Sequence, residues 1–98
     1  MQAEVIVVLV IYDISDNLKR LRVSKLLQRW GLTRIQRSAF TGILAPSRVK
    51  DLEREIRRHV NLETDVVHIV PLSRREWVRK RVIGTPWGEI SVQGASIL

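Results

Sequence analysis

The run Val5-Ile-Val-Val-Leu-Val-Ile-Tyr12 constrains this chain more than any other feature, because it is β-branched, unbroken and of strand length. Its apolar residues do not alternate with polar ones, so the reading is a central strand with both faces buried. The run is far too short to cross a bilayer, and no membrane partner is expected. A strand of this kind needs a sheet and a covering layer. A length of 98 residues, 45% of them apolar, suffices for one such domain but not for two cores, and argues against disorder. Met1-Gln2-Ala3-Glu4 lacks the basic flank of a secretory signal, which makes the cytoplasm the default location.

Downstream of the run, Asp13-Ile-Ser-Asp16 supplies turn and cap chemistry, with Asp16 as the N-cap of a helix. That helix runs to about Trp30, since Val23, Leu26, Leu27 and Trp30 recur at helical spacing, and Gly31 ends it. Leu18 and Leu21 fall off this stripe. Thr33-Arg-Ile-Gln36 and Ala39-Phe-Thr-Gly-Ile-Leu44 read as two short strands around a tight turn at Arg37-Ser38. Pro46-Ser47 opens a second helix whose buried stripe is Val49, Leu52, Ile56 and Val60. Val66-Val-His-Ile-Val70 is a further strand, and Ser73-Arg-Arg-Glu76 matches a capping box that predicts one helical turn near Trp77. Lys80-Arg-Val-Ile83 reads as a last short strand before Gly84-Thr-Pro-Trp-Gly88 breaks regular structure.

The order is βαββαβ, an α+β, ferredoxin-like arrangement with two helices on one face of a four-stranded antiparallel sheet, plus a short C-terminal strand. Residues 1–84 form the domain and 85–98 a tail. Helices cover only one sheet face, yet the first strand is apolar on both. A second copy of the chain is the simplest cover, so a homodimer joined through its sheets is expected.

Residues 17–58 hold twelve basic groups against Asp51, Glu53 and Glu55, whereas residues 1–16 are acidic. Thirteen of the chain's seventeen cations are arginine. A planar fork of donors suits phosphate oxygens, so DNA or RNA is the natural partner; a salt-bridged, solvated surface is the bland alternative.

For chemistry, Asp13 is the candidate, at the rim where the first strand gives way to a helix. One carboxylate is a poor site for a divalent ion, but two copies across a two-fold axis could share Mg²⁺ and activate a water beside a phosphate. The competing reading is a plain turn aspartate. Other sites fail on residue type or spacing. Cysteine is absent, His59 and His68 have no companions at metal-ligand spacing, and neither phosphate-cradling glycine motif occurs. Ser15, Ser24 and Ser38 lack an evident base and orienting acid. Trp30 belongs to the buried stripe, and Trp87, in the tail, is the freest of the three tryptophans.

Tyr12-Asp13-Ile14-Ser15-Asp16, an Arg-rich helix, and then Gly31-Leu-Thr-Arg-Ile-Gln-Arg-Ser-Ala-Phe-Thr-Gly42 form a specific combination. With Val70-Pro71-Leu72 and Val82-Ile83-Gly84, it closely resembles the small CRISPR-associated Cas2 family across residues 5–84. The resemblance implies a ferredoxin-like homodimer whose last strand pairs with the partner's sheet. It also implies Mg²⁺ or Mn²⁺ bound across the dimer by Asp13, with Tyr12 beside it in the catalytic centre. Arg20, Arg22, Arg34 and Phe40 match positions the family associates with activity or substrate contact, although Tyr12 and Phe40 also suit simple packing. Members are described as metal-dependent nucleases on single-stranded RNA or double-stranded DNA, and as scaffolds that join the larger CRISPR integrase subunit in spacer capture. Two places depart from the pattern: Ala39, where members often carry a larger β-branched residue, and the tail from Thr85.

Three functions therefore stand side by side: a metal-dependent endonuclease of spacer acquisition, a non-catalytic architectural DNA-binding dimer bridging integrase subunits, and a generic single-strand RNA module. The last needs exposed aromatics on the central strands, where the first strand offers only Tyr12.

Overall fold

A computed structural model describes residues 4–87. Eight elements form a single antiparallel sheet with its helices: β1 (Ile6–Asp13), α1 (Asn17–Arg29), β2 (Thr33–Gln36), β3 (Ala39–Leu44), a 3₁₀ turn (Pro46–Arg48) running into α2 (Val49–Arg57), β4 (Val66–Leu72) and α3 (Arg74–Val78). The sheet order is β2-β3-β1-β4, so β1 lies between β3 and β4 as its apolar sequence requires. This is the ferredoxin-like βαββαβ arrangement. No helix among the described residues is long and apolar enough to cross a membrane.

Pairing registers fix which residues share a face. Val8 pairs with Gly42 and Pro71, Val10 with Phe40 and Ile69, and Tyr12 with Val67. This face meets α1 and α2, and Val8, Val10, Tyr12, Phe40, Val23, Leu26, Leu27, Leu52 and Ile56 form its core. Pro71 is tolerated because β4 is an edge strand and needs no inward donor at that position. The opposite face carries Val7, Leu9 and Ile11 of β1, with Ile43 and Thr41 of β3 and His68 and Val70 of β4.

Within the single chain this second face is covered only in part. Ile11 is 42% exposed and Ile43 50%, although Val7 and Thr41 on the same face are buried. The two longer helices lie on the other face, and the short α3 lies beside β1. Thr41 Oγ1 is buried on this face with no hydrogen-bond partner among the described residues.

Capping follows the sequence. The Asp16 carboxylate accepts from the Lys19 N–H at 2.9 Å, and Gly31 takes φ 87° after α1. Ser73 and Glu76 form the reciprocal capping box of α3. Leu18 and Leu21, off the helical stripe, are exposed. Lys80–Ile83, expected as a last short strand, carries no ladder among the described residues. A strand exists only by pairing, and the pairing expected for it belongs to another copy. Residues 88–98 lie outside the described residues.

Gly42 is required for its size. A Cβ there would stand 2.9 Å from Leu32 Cγ, 3.1 Å from Leu32 Cα and 3.3 Å from the Gly31 carbonyl oxygen. Two of those three atoms are backbone and cannot swing aside. Gly42→Val is expected to destabilise the fold by about 2 kcal/mol or more through overpacking, read as a lower urea midpoint at unchanged slope.

Candidate nucleic-acid and metal site

Five of the six expected site residues lie at one end of the sheet, where β1 finishes. Because side chains alternate along a strand, Tyr12 and Asp13 leave β1 on opposite faces. Tyr12 turns inward. It is 5% exposed, and its ring stacks on Phe40, itself fully buried, at a centroid distance of 6.3 Å. Arg34, which pairs with Phe40 across the β2–β3 ladder, lays its guanidinium over the Phe40 ring at 4.9 Å. One of its nitrogens donates to the Arg37 carbonyl at the turn.

Arg20 is committed to the loop behind Asp13. It donates to the Ile14 carbonyl at 2.9 Å, to the Ser15 carbonyl at 3.3 Å and to the Asn17 side-chain oxygen. Its role is to hold the β1–α1 connection in shape while keeping a positive charge near the strand end. Asp13 projects from the open face and is exposed; among the described residues it makes no hydrogen bond or ion pair. Arg22 is exposed on α1 and is not drawn into the Tyr12–Arg34 cluster.

Burial pushes the Tyr12 phenol above its ordinary value, opposed by the charges of Arg34 and then Arg20. Tyr12 is therefore neutral at physiological pH, a packed phenol rather than an ionised one. The unfolded chain thus releases this proton at lower pH than the fold does, so stability is lost as pH rises beyond about 10. Tyr12 is the single tyrosine, so the phenolate absorbance near 295 nm reports it alone. Its midpoint is expected above 10.0 in the native protein and back at that value in denaturant.

Phe40 has no exposed surface and lies beneath the Arg34 guanidinium, in keeping with the packing that its position also suits. Tyr12 likewise lies inside the fold, on the face away from Asp13. A third aromatic, Trp87, sits against the cluster: its ring lies 5.8 Å from the Arg34 guanidinium. The sequence marked Trp87 only as free, since nothing in its spacing ties the tail to β2.

A metal ion fits one chain poorly. Among the described residues no three His, Asp or Glu side chains come together. Asp13 offers a single carboxylate, which suits an ion only where a second carboxylate and water complete the shell.

Comparison with known proteins settles the lineage. The family model described as CRISPR associated protein Cas2 matches residues 6–80. The chain belongs to the Cas2 family. It is 45% identical over 67 residues to a CRISPR-associated endoribonuclease Cas2 of Archaeoglobus fulgidus, covering 68% of this chain and 71% of that one. It is 40% identical over 68 residues to a Cas1/Cas2 endonuclease fusion of Thermoproteus tenax, covering 69% of this chain and 26% of the fusion. Among solved structures, a crystal structure of Cas2 superposes with a TM-score of 0.73 at 27% identity, spanning 97% of this chain and all of the other.

Proposed function

We propose that this Cas2 protein is a nucleic-acid-binding dimer of CRISPR spacer acquisition, with a metal-dependent phosphodiesterase centre formed by Asp13 from each of two copies. The observation that carries the reading is the parity of β1. Asp13, Ile11 and Leu9 share the face that α1 and α2 leave open, so a second copy laid on the exposed isoleucines brings a second Asp13 toward the first. Thr41 Oγ1, buried there without a partner, lies on the same face.

Mg²⁺ or Mn²⁺ held by the two Asp13 carboxylates would supply a water of lowered pKa and positive charge beside a scissile phosphate. The chain's own residues do the positioning. Arg20 fixes the loop that follows Asp13, and Arg34, steadied on Phe40, presents a cation to the backbone of RNA or DNA. The relatives named as endoribonucleases and endonucleases support this chemistry. Purified protein is expected to cleave labelled single-stranded RNA or duplex DNA with Mg²⁺ or Mn²⁺ and to stop in chelator. Equal rates in chelator would refute the metal centre.

A second reading is favoured by a separate observation, the relative in which Cas1 and Cas2 are one chain. Here the dimer bridges two copies of the larger integrase subunit and binds duplex DNA without cutting it. Arg54, Arg57 and Arg58 lie exposed at the C-terminal half of α2 and just beyond it, where they could follow a duplex backbone. Spacer capture that survives Asp13→Asn but fails when these arginines become Glu would establish the architectural role.

A further inference from the structure

We propose that Trp87 and Arg34 form a stacking platform for an unpaired nucleobase and its phosphate at the outer edge of β2. The platform rests on the nucleic-acid reading above and adds to it an aromatic contact from a residue outside the matched family region.

The starting point is an irregularity in the sheet. Thr33 and Arg34 pair with Thr41 and Phe40, but Gln36 pairs with Ala39, so the register slips at Ile35. A bulged residue drops out of the ladder and turns its backbone groups elsewhere. The Ile35 carbonyl is taken up by the tail, accepting a hydrogen bond from the Trp87 N–H at 3.1 Å. That bond anchors the tail's main chain beside β2, and the indole lies next to Arg34. The guanidinium is then flanked by two rings, Phe40 at 4.9 Å beneath and Trp87 at 5.8 Å beside it.

The two rings differ in what they can do. Phe40 is fully buried, whereas Trp87 is 48% exposed. About half of the indole surface therefore stays open to solvent beside the cation, where a second flat ring can stack on it. Among the described residues Arg34 is paired with no carboxylate, so its charge is available to an anion. Arg37 stands at the adjoining turn and adds a further cation. An indole face beside an unneutralised guanidinium matches a nucleobase attached to its phosphate. The base must be unpaired, because a base inside a duplex already has neighbours on both faces.

The test uses the full-length protein and three probes: a 15-nucleotide oligo(U), the matching oligo(dT), and a dumbbell duplex without free ends. Trp87→Ala keeps the backbone N–H that bonds Ile35 and removes the ring alone. It is expected to weaken binding of the single strands about tenfold, with Trp87→Phe within about threefold of the parent. Dumbbell affinity should be unchanged, and the parent's tryptophan fluorescence should be quenched by single strands in a way that Trp87→Phe abolishes. A loss confined to oligo(U) or to oligo(dT) identifies the natural strand as RNA or DNA. Single-strand affinity unchanged in Trp87→Ala, or an equal loss on the dumbbell, overturns the platform while leaving nucleic-acid binding intact. A parent protein that binds none of the three probes overturns the nucleic-acid reading itself, and the platform with it.

Discussion

Asp13→Asn is expected to lower metal-dependent cleavage by about two orders of magnitude or more while leaving the fold as stable as before. The asymmetry follows from where Asp13 lies. It is exposed and, among the described residues, bonded to nothing, so the amide replaces the carboxylate without breaking a contact, and a stability change within about 0.5 kcal/mol is expected. The ion loses far more. In a two-fold centre one substitution removes both anionic ligands, and a hard dication held by neutral amides and water binds weakly. A hundredfold loss corresponds to about 2.7 kcal/mol of transition-state stabilisation, modest for the removal of a ligand pair. Dimerisation supplies an independent check. Two carboxylates brought together without an ion repel each other, so in chelator the Asn variant should dimerise at least as tightly as the parent. Full cleavage by the variant, at parental metal concentrations, would remove Asp13 from the chemistry.

Most of the fold was legible because each element carried a local signal with a physical cause. The β-branched run became β1, Asp16 and Gly31 bounded α1, and Ser73 with Glu76 capped α3. The candidate site was legible only in part. Sequence position named Asp13 and the family resemblance added Arg20 and Arg34, but the sequence did not display the alternation that sends Tyr12 inward and Asp13 outward. It could not show that Arg20 would be occupied by the carbonyls of Ile14 and Ser15. Nor could it foresee Trp87 beside Arg34, because that contact depends on the bulge at Ile35, and a register slip leaves no mark on hydrophobic periodicity. Lys80–Ile83 shows the same limit from the other side: its apolar residues have strand character, yet a strand needs an edge to pair with.

Ile11→Glu is expected to convert dimers into folded monomers and to abolish metal-dependent cleavage together with them. Ile11 is 42% exposed in the single chain, so a charge there remains solvated and the monomer core on the other face is untouched. In a dimer sealed through this face the same carboxylate is taken from water, and two-fold symmetry places the defect in both copies. Losing the burial of one isoleucine per copy and adding two uncompensated charges should raise the dimer Kd by about 10² or more. Leu62→Glu is the control, since Leu62 is 66% exposed but follows α2, away from this face; its dimer and its cleavage should match the parent. Sedimentation equilibrium gives the association state and circular dichroism the fold. The decisive feature is the link between the two readouts. One chain contributes one carboxylate, so activity per chain should fall on dilution through the dimer Kd, and Ile11→Glu should shift that whole curve to higher concentration. A variant that is monomeric yet cleaves at the parental rate would place the chemistry within a single chain.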